Sequence, residues 1–151
     1  MAFDVETVNL DGRVTTIGTA SGHTLVIDRP VDAGGGGLGF NGGELLHLAV
    51  AGCISNDLFR EARAAGIHLR RVRVTARGEF AGMPAVSAGI EYQVEVEGEA
   101  LPERLEALVA HVDAVAEIPN SLRRGTPVRL AAARTLGHHG AGLSPSPAEA
   151  G

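Results

Sequence analysis

Aromatic residues are scarce in this 151-residue chain: there is no tryptophan, one tyrosine and four phenylalanines. A core here must be built from leucine, valine, isoleucine and alanine. A small subunit with such a core leaves apolar helix surface to be covered by another copy, so a homodimer is expected. Cysteine is rarer still. With Cys53 as the single thiol, no intrachain disulfide can form, and a reducing cytoplasm is the expected compartment. An excess of basic charge is also missing. The formal net charge of -5 argues against nucleic acid and anionic membrane surfaces as partners. Residues 1–20 hold Asp4, Glu6, Asp11 and Arg13 without a continuous apolar run, so no signal peptide is read there. The apolar run 45–59 is too short and interrupted to span a bilayer. The length predicts one domain, 1–136. Beyond it lies a Gly-, Ser-, Pro- and Ala-rich tail, 137–151, expected to be disordered.

Glycine, by contrast, is concentrated. Seven of the twelve residues 32–43 are glycine, which predicts a loop. It lacks a phosphate-binding pattern: Gly37-Leu38-Gly39 has no third glycine of a dinucleotide fingerprint, and no Gly-Lys-Ser/Thr follows. A long helix should start directly after it. Asn41 can accept from first-turn amides and Glu44 can reach back to the Asn41 amide, a capping box; Gly66 supplies the stop. Leu45, Leu46, Leu48, Ala49, Val50, Ile54, Leu58 and Phe59 cover most of the circumference, which predicts a helix over 42–65 buried on nearly all sides.

Strands are predicted at 5–10 and 13–19 around an Asp11-Gly12 turn, and at 23–28. Alternation predicts two more at 68–79 and 89–97. Arg71, Arg73 and Arg77 line one outer face, and Glu91, Glu95 and Glu97 the other. Antiparallel pairing would set these charges opposite each other as a solvated face. A second helix is expected over 102–116 with Pro102 at its first position, then a short turn over 119–124 and a last strand over 126–134. The order β-β-β, long helix, β-β, helix, β makes an α+β chain with a mostly antiparallel sheet.

Three blocks of this chain resemble the OsmC/Ohr family of organic-hydroperoxide reductases and their OsmC-like relatives. The run Gly43-Glu44-Leu45-Leu46-His47-Leu48-Ala49-Val50-Ala51-Gly52-Cys53 is similar to the family's Pro-x-Glu-Leu-Leu-x-Ala-x-x-Ala-Gly-Cys helix. Gly66-Ile67-His68-Leu69-Arg70-Arg71-Val72 resembles a Gly-Ile-x-Leu-x-x-Val strand entry, and Asn120-Ser121-Leu122-Arg123-Arg124-Gly125 an Asn-Ser-Leu-x-x-Gly segment. The resemblance spans about residues 10–135. It implies an intertwined homodimer whose central helices pack back to back, with sites at the dimer interface. In the reductases, a cysteine on the central helix attacks the hydroperoxide and becomes a sulfenic acid, which a second cysteine resolves. An arginine of the N-terminal hairpin and a glutamate at the helix start activate the first thiol.

Carried onto this chain, Cys53 takes the attacking position, Arg13 that of the arginine, and Glu44 is the candidate acid. The departures are specific. The resolving cysteine's place is taken by Ala116 and the proline after it by Glu117; the reductases' glutamate position is Gly43, so that Glu44 matches the OsmC-like branch. At 100° per residue, nine steps put Glu44 on the opposite side of the helix from Cys53, which favours the capping role over a catalytic one. Asp57, one turn past Cys53, would raise the thiol pKa. A cysteine so placed is also readable as a small core hydrophobe.

The reading that follows is a cytoplasmic, OsmC-like thiol protein. It would reduce a small hydrophobic substrate such as an organic hydroperoxide through Cys53, with an external thiol as reductant. The alternatives are a non-catalytic small-molecule-binding dimer and a hotdog-type thioesterase. No cofactor is expected. No metal site is expected either: no two of the six histidines have zinc-helix spacing. His47, about 120° from Cys53 around the helix, is the polar residue that could face a pocket, and Tyr92 should be core with its hydroxyl satisfied.

Overall fold

The structure is a computed structural model that describes residues 2–136; the expected tail, with His138 and His139, lies outside the described residues. Strands β1 (Val5–Asn9), β2 (Thr16–Ala20) and β3 (His23–Ile27) form an antiparallel sheet in sequence order. Strands β4 (Leu69–Ala81) and β5 (Val86–Gly98) form a second, two-stranded antiparallel sheet. Helix α1 (Gly42–Ala64) stands between the sheets in sequence; α2 (Pro102–Val115) and α3 (Glu117–Arg123) follow β5. The α+β order read from the sequence is therefore correct up to α3. Two separate sheets and a packed second helix do not make a hotdog, in which one sheet wraps one helix, and this rules out the thioesterase alternative.

Local chemistry explains the main element ends. Asn41 Oδ1 accepts from the Glu44 amide at 3.0 Å, and Glu44 Oε2 accepts from the Asn41 amide at 2.8 Å. Both halves of the capping box are thus made. At the other end Gly66 takes φ +65°, the Ile67 amide donates to Ala62 O at 2.8 Å and the Gly66 amide to Arg63 O at 3.2 Å. That is the Schellman closure, which needs a left-handed residue where glycine stands. Pro119 sits in the first turn of α3, where its missing N–H costs nothing.

The core is one cluster: Ile54, Leu58 and Ala62 of α1, Ile67 and Leu69 at the entry to β4, Leu108 and Val112 of α2, and Ala116. Val72 and Val74 of β4 and Tyr92, Val94 and Val96 of β5 pack against it with their inward faces. Their outward neighbours pair as the alternation predicts: Arg71 opposes Glu97, Arg73 opposes Glu95 and Arg77 opposes Glu91. The guanidinium–carboxylate distances are 3.8 Å for Arg71–Glu97 and 3.9 Å for Arg73–Glu95, on exposed side chains. Such pairs contribute little to stability but discourage misregistered pairing.

Three expectations are corrected. β2 begins at Thr16, not residue 13, because the connection is a six-residue loop closed by Leu10 N–H to Thr15 O at 3.0 Å; the Asp11-Gly12 turn is nested inside it. Residues 126–136 form no strand among the described residues. A strand needs a partner edge, and no backbone pairing joins this segment to β1–β3 or to β4–β5. Val128 and Leu130 are left 95% and 84% exposed. Finally, one chain by itself does not bury α1 on nearly all sides. One face carries the core, while Leu48, Ala49, Gly52, Asn56 and Phe59 face outward within a single chain. The three-stranded sheet packs on no other element to any extent, and Val5, Val8, Leu25 and Val26 stand exposed on it.

Between β3 and α1 the glycine loop is organised by Asp28, a buried residue that the sequence reading passed over. Its carboxylate accepts from the Gly36 amide at 3.1 Å, the Leu38 amide at 3.3 Å, the Arg29 amide at 2.8 Å and the Thr15 hydroxyl at 3.1 Å. Burial works against the charged carboxylate, but the four donors outweigh it and hold the Asp28 carboxyl below its ordinary value.

Candidate functional site

Cys53 lies on the face of α1 that meets α3. Its half-buried thiol packs on the core cluster and faces two carboxylates. The S–H can donate to Asp57 Oδ2 at 3.8 Å or to Glu117 Oε2 at 3.9 Å. Asp57, one helical turn on, is 4% exposed. Arg60 holds its other oxygen at 2.9 Å and reaches Glu117 at 3.6 Å. The backbone amides of Glu117 and Ile118, at the start of α3, are the neighbours that favour the thiolate.

These groups pull in opposite directions. Burial pushes the Cys53 thiol up, the Asp57 and Glu117 charges push it further, and the Ile118 and Glu117 amides only partly offset them; the net shift is upward. Asp57 is also pushed up: burial dominates, Glu117 adds to it, and Arg60 opposes it. Within one chain the cysteine is therefore a protonated thiol beside a carboxylate that is itself biased toward protonation.

A groove of about 360 Å³ opens one turn of α1 before Cys53, lined by Leu46, Val50, Ile90, Tyr92, Pro119 and Leu122, with Arg123 at its rim. Arg123 is not a free cation. It pairs with Asp113 of α2, whose carboxylate also accepts from the Tyr92 hydroxyl. This fixes α3 against β5 and satisfies the Tyr92 hydroxyl, as expected.

The other sequence candidates fall elsewhere. Glu44 is engaged in the capping box on the far end of α1. Arg13 sits in the β1–β2 connection, its amide donating to Leu10 O at 2.8 Å, and is not among the charges acting most strongly on the thiol. Among the described residues the sheet that it joins makes no extensive contact with α1. His47 turns away from the thiol. Its Nδ1 donates to Gly43 O at 2.7 Å, and its buried Nε2 lies against Gly78 of β4 with no partner among the described residues.

Glu117 is the residue that sequence reasoning undervalued. From the sequence alone it is no more than the residue standing in a proline's place. The chain reversal at Ala116 places it against Cys53 across 64 residues, and no local pattern encodes that. Cys53 Sγ and one oxygen each of Asp57 and Glu117 lie within 4.8 Å of one another. Counting histidines could not show this juxtaposition, and the Arg60 guanidinium already supplies a cation to it.

A family model described as "OsmC-like protein" matches residues 34–131, well over half the chain. The chain belongs to the OsmC-like family. No curated protein sequence matches it. Among solved structures the fold resembles the OsmC-like protein from Mycoplasma pneumoniae, with a TM-score of 0.70 and 17% identity over 83% of this chain and 89% of that one. It also resembles an organic hydroperoxide resistance protein OsmC from Legionella pneumophila, with a TM-score of 0.61 and 21% identity over 82% and 90% of the two chains. A third is the organic hydroperoxide resistance protein OhrB of Bacillus subtilis, with a TM-score of 0.57 and 17% identity over 83% and 93%. At these identities the likeness establishes the OsmC-like fold, and function must be argued from the site. Among the described residues no helix is long and apolar enough to cross a membrane.

Proposed function

We propose that this OsmC-like protein is a cytoplasmic thiol-dependent reductase of small hydrophobic hydroperoxides that works as a homodimer. The observation that carries the reading is the placement of the only thiol of the chain at the α1–α3 junction, one helical turn from an apolar groove. The sulfur of Cys53 attacks the terminal oxygen of the hydroperoxide. The O–O bond breaks, the alcohol leaves with one proton, and Cys53 becomes a sulfenic acid. With no second cysteine, an external thiol condenses with it to a mixed disulfide and water. A second external thiol then restores Cys53 and leaves as the disulfide.

The homodimer supplies what one chain lacks. The outward stripe of α1, the uncovered β1–β3 sheet and the unpaired segment 126–136 are the surfaces a second copy would cover. Arg13, in the β1–β2 connection, would come to the thiol across that interface. The binder reading draws on one observation, the upward shift of the thiol within the chain. One experiment separates the two. Stoichiometric cumene hydroperoxide should produce a species trapped by a sulfenic-acid reagent in the wild type and not in Cys53→Ser, with turnover wholly dependent on added thiol. A folded protein whose thiol is inert to millimolar cumene hydroperoxide at neutral pH would establish the binder instead.

A further inference from the structure

We infer that Asp57 is the proton shuttle of the Cys53 reaction, taking the thiol proton as the sulfur attacks and returning it to the departing alkoxide. The inference rests on the hydroperoxide reading and goes beyond it. The activating arginine and glutamate implied by the family resemblance both lie away from the thiol within the chain, whereas Asp57 touches it.

The geometry has three parts. Asp57 Oδ2 is 3.8 Å from Sγ, within reach of an S–H donor, and the i, i+4 spacing on α1 holds the two groups face to face. Asp57 is 4% exposed, so water competes poorly for its oxygens. Arg60 grips the other oxygen at 2.9 Å, fixing the carboxylate's orientation and balancing its charge when it is ionised. The charged groups facing Asp57 are Arg60 from α1 and Glu117 from α3; from α2, His111 is engaged with Glu61 at 3.2 Å. Glu117 presses Asp57 toward the protonated state that returns the proton. The balance closes without an outside base: Cys53–SH and ROOH become Cys53–SOH and ROH. The S–O bond forms as the O–O bond breaks, its electron pair leaves on the alkoxide, and the proton travels from sulfur through the carboxyl to that alkoxide.

The shuttle makes an unusual demand. Asp57→Asn removes a negative charge beside the sulfur, so alkylation of Cys53 by iodoacetamide at neutral pH should become several-fold faster. Sulfenic-acid formation with cumene hydroperoxide should instead fall by about 10²-fold, the range of general acid–base catalysis. Asp57→Glu, which keeps a carboxyl, should restore most of that loss. A purely electrostatic or structural role for Asp57 would move both rates in the same direction, and that result overturns the inference.

If Asp57→Asn does not fold, the wild type still decides. Alkylation, which needs the free thiolate, should fall about tenfold for each pH unit below the thiol pKa. Oxidation by the hydroperoxide should fall less steeply, because the protonated thiol is the reacting form. Parallel profiles would refute the shuttle. A wild-type thiol that alkylates but is never oxidised by hydroperoxide sinks the hydroperoxide reading, and the shuttle with it.

Discussion

Leu58 and Phe59 are neighbours on α1 that test how its two faces are used. Leu58 is fully buried against Leu108 and Val112 of α2. Leu58→Ala should cost about 3–4 kcal/mol, from lost transfer energy and a partly unrelaxed cavity, whatever the oligomeric state. Phe59 is 51% exposed within one chain. If that face met only water, Phe59→Ala would cost well under about 1 kcal/mol. If a second copy covers it, burying the remaining half of the ring removes roughly 100 Å² from water, or about 2.5 kcal/mol at 25 cal/mol/Å². Twofold symmetry counts that loss twice, about 5 kcal/mol per dimer, so dissociation should strengthen by between three and four orders of magnitude. The measurement is sedimentation equilibrium over nanomolar to micromolar concentrations, with thermal melts at two concentrations. Wild type should be dimeric, with a melting temperature that rises with concentration. Phe59→Ala should shift toward monomer, and Leu58→Ala should melt lower at every concentration. A wild type that is a folded monomer at micromolar concentration, or a Phe59→Ala variant with unchanged dimer affinity, refutes the reasoning.

Two further predictions concern titrating groups. Asp28, held below its ordinary pKa by four donors, contributes stability that is present above its unfolded pKa and is lost as the pH falls through the folded one. Asp28→Asn should therefore be less stable than wild type at neutral pH, and the gap should close in acid, as read by denaturant midpoints from pH 7 down to pH 3; a gap independent of pH would show that the charge is not what anchors the loop. Tyr92 is the only tyrosine and there is no tryptophan, so phenolate absorbance reports this one residue. Burial first, and then the Asp113 carboxylate, push its pKa up. The neutral phenol thus stabilises the fold below its unfolded pKa, and that contribution is lost as the pH rises through the folded value. Asp113→Asn should bring the phenol's titration down, and an unchanged titration would contradict the Tyr92–Asp113 hydrogen bond.

What the sequence determined by itself was local or periodic. Asn41 and Glu44 sit three apart and Gly66 follows the last helical turn, so both ends of α1 were legible; capping depends only on neighbours in the chain. The alternation of Arg71, Arg73 and Arg77 against Val72 and Val74 had one consistent reading, because a one-residue slip would bury the charges. The position of Asp57 beside Cys53 followed from helical spacing alone. The blocks around Cys53 and Asn120 identified the family, since they are strings of residue types that need no coordinates to compare. Tertiary structure decided the rest. Glu117 reaches the thiol only because the chain reverses at Ala116. The Asp28 clamp needs amides from a glycine loop whose path no pattern foretold. Apolar content predicts that α1 is buried on nearly all sides, and one chain covers only one face. Residues 126–134 have the composition of a strand but pair with neither sheet. Composition shows that a surface wants covering, but not whether its own chain or another copy is near enough to do it. That depends on where distant segments come to lie, and it is the physical reason why the thiol and Asp57 could be found from sequence while Glu117 could not.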